Sequence, residues 1–324
     1  MKRIEVLTAF AFLVNAPLFA ACPTGLSVGF QIVTFNSVKT AVWYPTTSPE
    51  VPFVYSPLAS GSVAENAPPA TCGAFPMVVF SHAYGGCPTQ SVFITEQLAR
   101  DGYVVAAPDH ADAGCPILGG GYVKPPPPQE PLNQPGLWTD QTYLDRKNDM
   151  QSVITGMESS PVFGPMIDAS RVAGMGHSLG GYTVLGLAGA WPSWKDTRIK
   201  QVLAFSPYAE PFRVQHLLGG VSVPVMYQGG TLDFPNTTSL LLPGGYDANP
   251  PPKFFAELNN ASHLLWTNIT CIVPNSVSKC LSTLPEAALI DRYGFAFLDY
   301  YIKGQSEPIL WGNGFGLVDY RHTP

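Results

Sequence analysis

Gly174-Met175-Gly176-His177-Ser178-Leu179-Gly180-Gly181 is the stretch of this 324-residue sequence that says most about its fold. It carries the pattern Gly-x-Ser-x-Gly at 176–180, after an apolar run at 171–176 and before a helix-like stretch at 179–190. A serine at a strand-to-helix turn has its hydroxyl lifted clear of the sheet. The flanking glycines let neighbouring backbone pass without a Cβ clash. The helix that starts behind the serine turns free N–H groups and a positive dipole end toward developing negative charge. Ser178 is therefore a candidate nucleophile, and its neighbours should be strands and helices in alternation.

They are. Strand-like runs occur at 28–35, 40–44, 77–81, 103–108, 171–176, 201–205, 223–228 and 253–258, each short, rich in Val, Phe or Tyr, and bounded by Gly, Pro, Asn or Asp. Helix candidates lie at 90–101, 142–159, 179–190 and 285–303, stopped by Gly102, Pro161, Pro192 and Gly304 respectively. Near-continuous apolar strands alternating with helices predict an α/β fold, with a mostly parallel sheet of about eight strands flanked by helices on both faces. Two stretches fall outside the pattern. Residues 48–72, rich in Pro, Ser and Ala, read as a surface excursion, and 109–138 read as a long loop insertion holding Gly119-Gly120-Gly121 and four prolines at 125–128. No repeat or second domain is evident, so 22–324 is expected to form one catalytic domain.

A serine hydroxyl is a weak nucleophile until a base takes its proton. In a fold of this kind the chain order is serine, acid, histidine. Three histidines follow Ser178. His216 precedes any well-placed acid and His322 lies in the terminal tail, whereas His263 follows the 253–258 strand across the short loop 259–262. The acid expected after the preceding strand is Asp233, in Gly229-Gly230-Thr231-Leu232-Asp233; Asp247 is the rival, and Asp168 and Asp196 lie on the wrong connections. Oxyanion donors are expected from the N–H of Leu179 and from the loop Ser81-His82-Ala83-Tyr84-Gly85-Gly86-Cys87, with Tyr84 first and Ala83 second. His82 and His177 read as hydrogen-bonded supports. Asp109, His110 and Asp112 form only a weak metal pattern, and neither a metal nor a cofactor is called for.

These motifs resemble the α/β-hydrolase superfamily. The likeness is to the branch of dienelactone-hydrolase-like proteins, platelet-activating-factor acetylhydrolases and bacterial cutinase-type polyester hydrolases. It runs from about Phe75 to Lys303, through the 77–86 strand and loop, Gly102-Tyr103-Val104-Val105-Ala106-Ala107-Pro108-Asp109, the 176–181 elbow, 229–233 and Ala261-Ser262-His263. The resemblance implies Ser178 as nucleophile, His263 as base and Asp233 as its orienter, with Tyr84 and Leu179 at the oxyanion positions. It also implies Tyr208, in Phe205-Ser206-Pro207-Tyr208, as an aromatic platform beside the nucleophile. Serine in place of the cysteine of dienelactone hydrolase shifts the likeness toward esterases, and the 109–138 insertion departs from the compact polyester hydrolases.

Composition narrows the partners. Charged residues make up 12% of the chain, about half the usual share, and the net charge is −6. That leaves no basic surface to follow a nucleic acid. With 46% hydrophobic residues the chain is not disordered. Lys2-Arg3, the broken apolar run 4–20 and the small pair Ala20-Ala21 predict a secretory signal peptide at 1–21, with no membrane-spanning segment after its removal. The cysteine count is six: Cys22, Cys72, Cys87, Cys115, Cys271 and Cys280. An even number in an exported chain predicts disulfides, with Cys271 and Cys280 the best pair and the other four open among three pairings. Phe19-Ala20-Ala21-Cys22 also resembles a lipoprotein cleavage box, which makes acylation of Cys22 the minor alternative. The expectation is a secreted, monomeric serine carboxylic-ester hydrolase. Its substrates would be neutral apolar esters, polymeric like polyester or cutin, or else small or lipid acyl esters, with Tyr84, Tyr208 and Trp266 as candidate substrate contacts. A hydrolase-like binding protein without turnover is the competing class.

Overall fold

A computed structural model describes residues 22–57, 59–115, 124–240, 244–272 and 276–324. The predicted signal peptide and the glycine triplet at 119–121 lie outside those residues. Among the described residues eleven strands form one sheet: β1 (Ser27–Phe35), β2 (Val38–Thr46), β3 (Val51–Ser56), β4 (Ala59–Glu65), β5 (Phe75–Ser81), β6 (Val104–Pro108), β7 (Ile167–His177), β8 (Ile199–Phe205), β9 (Val225–Gly230), β10 (Lys253–Leu258) and β11 (Asp319–Thr323). The helices are α1 (Val92–Arg100), α2 (Leu144–Ser159), α3 (Leu179–Leu185), α4 (Glu210–Val214), α5 (Asn236–Leu240), α6 (Gly245–Ala248), α7 (Val277–Thr283) and α8 (Pro285–Leu298).

The strand order is β11-β10-β9-β8-β7-β5-β6-β2-β1-β4-β3. From β6 to β10 every neighbouring pair is parallel, and antiparallel strands extend both sides. Side chains alternate across the sheet. Val42, Met77, Val79, Val104, Val202 and Ala204 share one apolar layer with α2 and α3. Trp43, Val78, Phe80, Val105, Leu203 and Phe205 share the other with α1 and α8. Burial on both faces is why β5 and β6 read as unbroken apolar runs.

Register brings the strand ends level. Ser81 pairs with Gly176, His177 with Phe205, Phe205 with Gln228 and Gly230 with Leu258. The loops that follow β5, β7, β8, β9 and β10 therefore leave one carboxyl edge. From β5 the chain crosses to β6 by α1 on one face, and from β7 it crosses to β8 by α3 on the other face. Adjacent strands whose connections diverge in this way leave a crevice between their ends.

The strand count corrects the sequence expectation of about eight. β3 and β4 occupy the stretch read as a surface excursion, and β11 occupies the tail that holds His322, paired against Phe254. Disulfides join Cys22–Cys72, Cys87–Cys115 and Cys271–Cys280. Cys22 is thus engaged with Cys72, which corrects its reading as an acylation site. Among the described residues no helix is long and apolar enough to cross a membrane.

The β3–β4 hairpin is tied to α1 by a buried acid. Tyr55 Oη donates to Glu96 Oε1 at 2.8 Å, Ser62 N–H donates to the same oxygen at 3.3 Å, and Trp43 Nε1 donates to Tyr55 Oη at 2.9 Å. Gly61 is required beside it, because a Cβ there would sit 1.7 Å from Glu96 Oε1. Burial raises the Glu96 carboxyl from 4.5 to about 7, outweighing the hydrogen bonds that favour its charged form. The folded protein therefore holds a proton that the unfolded chain releases between those values. Stability from this group is present below pH 4.5 and is lost as pH rises toward 7. Glu96→Gln cannot titrate, so its stability relative to the parent should rise by roughly 2–3 kcal/mol between pH 4.5 and 8. Urea unfolding of both proteins across that range checks this; a pH-independent difference would refute it.

Candidate active site

The elbow is built from backbone crowding. Ser178 has φ 55° and ψ −116°, an uncommon conformation for a residue with a side chain. It is held by Ser178 N–H donating to the Phe205 carbonyl at 3.0 Å and by Tyr208 N–H donating to the Ser178 carbonyl at 2.9 Å. A Cβ at Gly176 would stand 2.2 Å from the Gly180 oxygen, and one at Gly180 would stand 1.8 Å from the Ser81 oxygen. Only glycine fits at either place. Leu179 opens α3, so its N–H has no acceptor within the helix.

Asp233 and His263 come from the loops after β9 and β10. His263 Nδ1 lies 2.9 Å from Asp233 Oδ1. The carboxylate is buried, while the imidazole is one-third exposed at 34%. Ser206, which directly follows β8, donates its hydroxyl to Asp233 Oδ2 and lies 2.8 Å from the same Nδ1. Asn236 Nδ2 lies 3.0 Å from it. With Nδ1 directed at this acid cluster, Nε2 is left as the ring atom available to the cavity. Ser178 and His263 both line that cavity, of about 340 Å³. Among the described residues no hydrogen bond joins the Ser178 hydroxyl to the imidazole; such contacts commonly close only with substrate bound.

The candidate oxyanion loop, 81–87, is anchored from beneath. Arg146, fully buried on α2, pairs with Asp112 through Nη2 at 2.8 and 2.9 Å and donates to the His82 carbonyl at 2.7 Å and the Ser81 hydroxyl at 3.2 Å. A buried charge this well matched is costly to unpair. His82 accepts from His110 N–H at 3.1 Å, and burial together with Arg146 lowers its pKa to about 3, leaving it neutral. His110 bridges Ser81 and Asp149 at 2.9 Å each, and burial raises the Asp149 carboxyl to about 7. Asp112 and His110 are thereby committed, and among the described residues no group of three His, Cys, Asp or Glu is placed to hold a metal.

Within the loop, Ala83 N–H donates to Gln90 Oε1 at 3.0 Å, which removes Ala83 as an oxyanion donor and leaves Tyr84 as the candidate. The Tyr84 hydroxyl donates to the Pro126 carbonyl, and the Tyr208 hydroxyl to the Leu132 carbonyl. The described part of the 109–138 insertion thus rests on both tyrosines. Tyr84 lines the cavity; Tyr208 does not, its ring lying 5.0 Å from that of Trp138. Trp266 corrects the sequence expectation of a substrate contact. It is fully buried, donates from Nε1 to Gln228 Oε1 at 3.0 Å and supports the base loop from below. His177 is buried under His263, with ring centroids 4.8 Å apart, and burial holds its pKa well below the ordinary value.

Of the other sequence candidates, His216 and Asp247 are exposed and outside the site. Asp168 and Asp196 pair with Arg171 and Arg198. A larger, more polar hollow of about 590 Å³, against Glu50, Glu96, Arg100 and Ser278, holds none of the candidate catalytic groups. Sequence reasoning missed Ser206, Asn236, Arg146 and Gln90. Only Ser206 left a trace, inside the 205–208 motif quoted for Tyr208.

A family model described as platelet-activating factor acetylhydrolase, isoform II, matches residues 54–130. That stretch carries the candidate oxyanion loop but not Ser178, Asp233 or His263. No curated protein sequence matches the chain. Among solved structures, a ferulic acid esterase from Streptomyces cinnamoneus is similar, with TM-score 0.67 and 18% identity, over 96% of this chain and 99% of that one. At that identity the likeness speaks to architecture: the fold is of the α/β-hydrolase type.

Proposed function

We propose that the protein is a serine carboxylic-ester hydrolase acting on neutral, apolar esters. The observation that carries this is the 2.9 Å Asp233–His263 contact at the cavity that Ser178 lines. Ser178 Oγ attacks the ester carbonyl as His263 Nε2 takes its proton, and the buried Asp233 stabilises the imidazolium through Nδ1–H. The N–H groups of Leu179 and Tyr84 receive the negative oxygen of the tetrahedral intermediate. Collapse breaks the bond to the alcohol, which leaves with the proton from His263. Water then attacks the acyl-enzyme, giving up a proton to His263, and the acid is released as Ser178 regains it. No cofactor enters this sequence.

Substrate class is argued from the lining. Among the described residues the cavity wall holds no Lys, Arg, Asp or Glu, and Leu264, Ile269 and the Cys87–Cys115 bridge contribute to it. Nothing there would repay desolvating a charged acyl group. The volume falls within the range of small-molecule sites. Leu264 and Ile269, which line the cavity, are each 46% exposed, so an apolar rim borders the opening. The rim favours polymeric, polyester-like esters, while the partial acetylhydrolase match favours small or lipid acyl esters.

Assays on p-nitrophenyl esters of increasing acyl length, a short-acyl phospholipid and a polyester film separate these readings. Preference for a charged acyl group over its neutral analogue would overturn the substrate assignment. We further propose that 22–324 is one catalytic domain, exported by the leader at 1–21. Three disulfides fit an oxidising compartment.

A further inference from the structure

We infer that Gln90 is a positioning residue that fixes the direction of the hydrogen bonds beneath the site and thereby the placement of the His263 main chain. The inference rests on the acyl-transfer reading above. Gln90 is buried in the turn before α1 and touches three loops. A backbone N–H can only donate, so the Gln90 atom 3.0 Å from Ala83 N must be the oxygen Oε1. The other amide atom is then the NH₂ group, 3.1 Å from His177 Nδ1, and it too can only donate. His177 Nδ1 must therefore offer its lone pair. A neutral imidazole with that tautomer carries its proton on Nε2, which donates to the His263 carbonyl at 2.8 Å.

One amide thus aligns oxyanion loop, elbow and base loop in a single one-way chain. Burial and the neighbouring His263 keep His177 from taking a second proton. The remaining contacts of Gln90 reinforce the link: its carbonyl accepts from Asn268 N–H at 2.6 Å, and Nε2 reaches Ser91 Oγ at 3.3 Å, which donates to the Trp266 carbonyl at 2.6 Å. Gly86 leaves room for it, since a Cβ there would stand 2.1 Å from Gln90 Oε1.

Gln90→Glu tests the direction rather than the packing. It keeps the volume and the acceptor for Ala83, but an ionised carboxylate sets a lone pair against the lone pair of His177 Nδ1. The expected result is a kcat deficit on the order of 10²-fold at pH 8 with little change in KM. The deficit relative to the parent at the same pH should shrink toward pH 5.5, as the carboxyl gains a proton and donates to Nδ1. Gln90→Met, with neither donor nor acceptor, should show the loss without the recovery. In the Ser178→Ala protein, which needs no turnover, ¹⁵N-histidine NMR should find His177 neutral and protonated at Nε2.

A Gln90→Glu to parent ratio that is flat from pH 5.5 to 8, parental kcat in Gln90→Glu at pH 8, or a His177 proton on Nδ1 would each overturn the inference. If Gln90→Glu fails to fold, the Ser178→Ala spectrum decides alone. Absence of Ser178-dependent ester hydrolysis in the parent would instead sink the enzymatic reading, and the tautomer measurement would still judge this one.

Discussion

Ser178→Ala is expected to lower kcat for ester hydrolysis by on the order of 10⁵- to 10⁶-fold while leaving the fold in place. In the proposed reaction the hydroxyl is the atom that becomes covalently bonded to the acyl group, and no neighbouring side chain can replace it. The residue's backbone contacts, to the Phe205 carbonyl and from Tyr182 and Tyr208 N–H, do not involve the side chain and survive the change. Both serine and alanine carry a Cβ, so the strain of φ 55° is common to parent and variant. The measurement pairs p-nitrophenyl butyrate turnover with a thermal midpoint. Parental turnover in a folded variant would remove Ser178 from the chemistry.

Asp233→Asn is the second large effect, expected at about 10³- to 10⁴-fold in kcat. The amide keeps the size of the carboxylate but loses the charge that stabilises an imidazolium. Its NH₂ group can also face Nδ1 and force the wrong tautomer. Ser206 lies 2.8 Å from Nδ1 and can still accept its proton, so some activity should persist. Activity within tenfold of the parent would place the orienting acid elsewhere. The sequence rival Asp247 would not inherit the role easily, because it lies exposed on α6.

The parts legible in the sequence are those where chemistry is written locally. β5 and β6, and β8 beyond Lys200, are buried on both faces, so their largely apolar runs announce them. β3 and β4 are half-exposed, with Ser, Gly and Pro between inward residues such as Tyr55 and Val63, and their composition imitates a loop. β11 is polar apart from Tyr320, which packs against the core, and it is held by pairing with β10. The helix expected over 179–190 keeps α-helical bonding only to Leu185 and then widens to Ala190, where Gly189 adopts φ 122°.

Ser178, Asp233 and His263 could be picked out as candidates because each follows a strand in a fixed order. Gln90 and Arg146 could not, since they act across 87 residues to His177 and 64 residues to His82. No local pattern encodes such contacts. Trp266 shows the converse: residue type suggested an aromatic contact, but only coordinates reveal which way a ring points.

Labelling with a fluorophosphonate, followed by peptide mass mapping, tests the central claim most directly. The reagent forms a stable phosphonyl bond to an activated serine, standing in for the acyl-enzyme. The account predicts one adduct per chain, on Ser178, formed at least 10²-fold more slowly after His263→Ala. Hydrolytic activity that persists with Ser178 unlabelled, or a stoichiometric adduct on another residue, would contradict it.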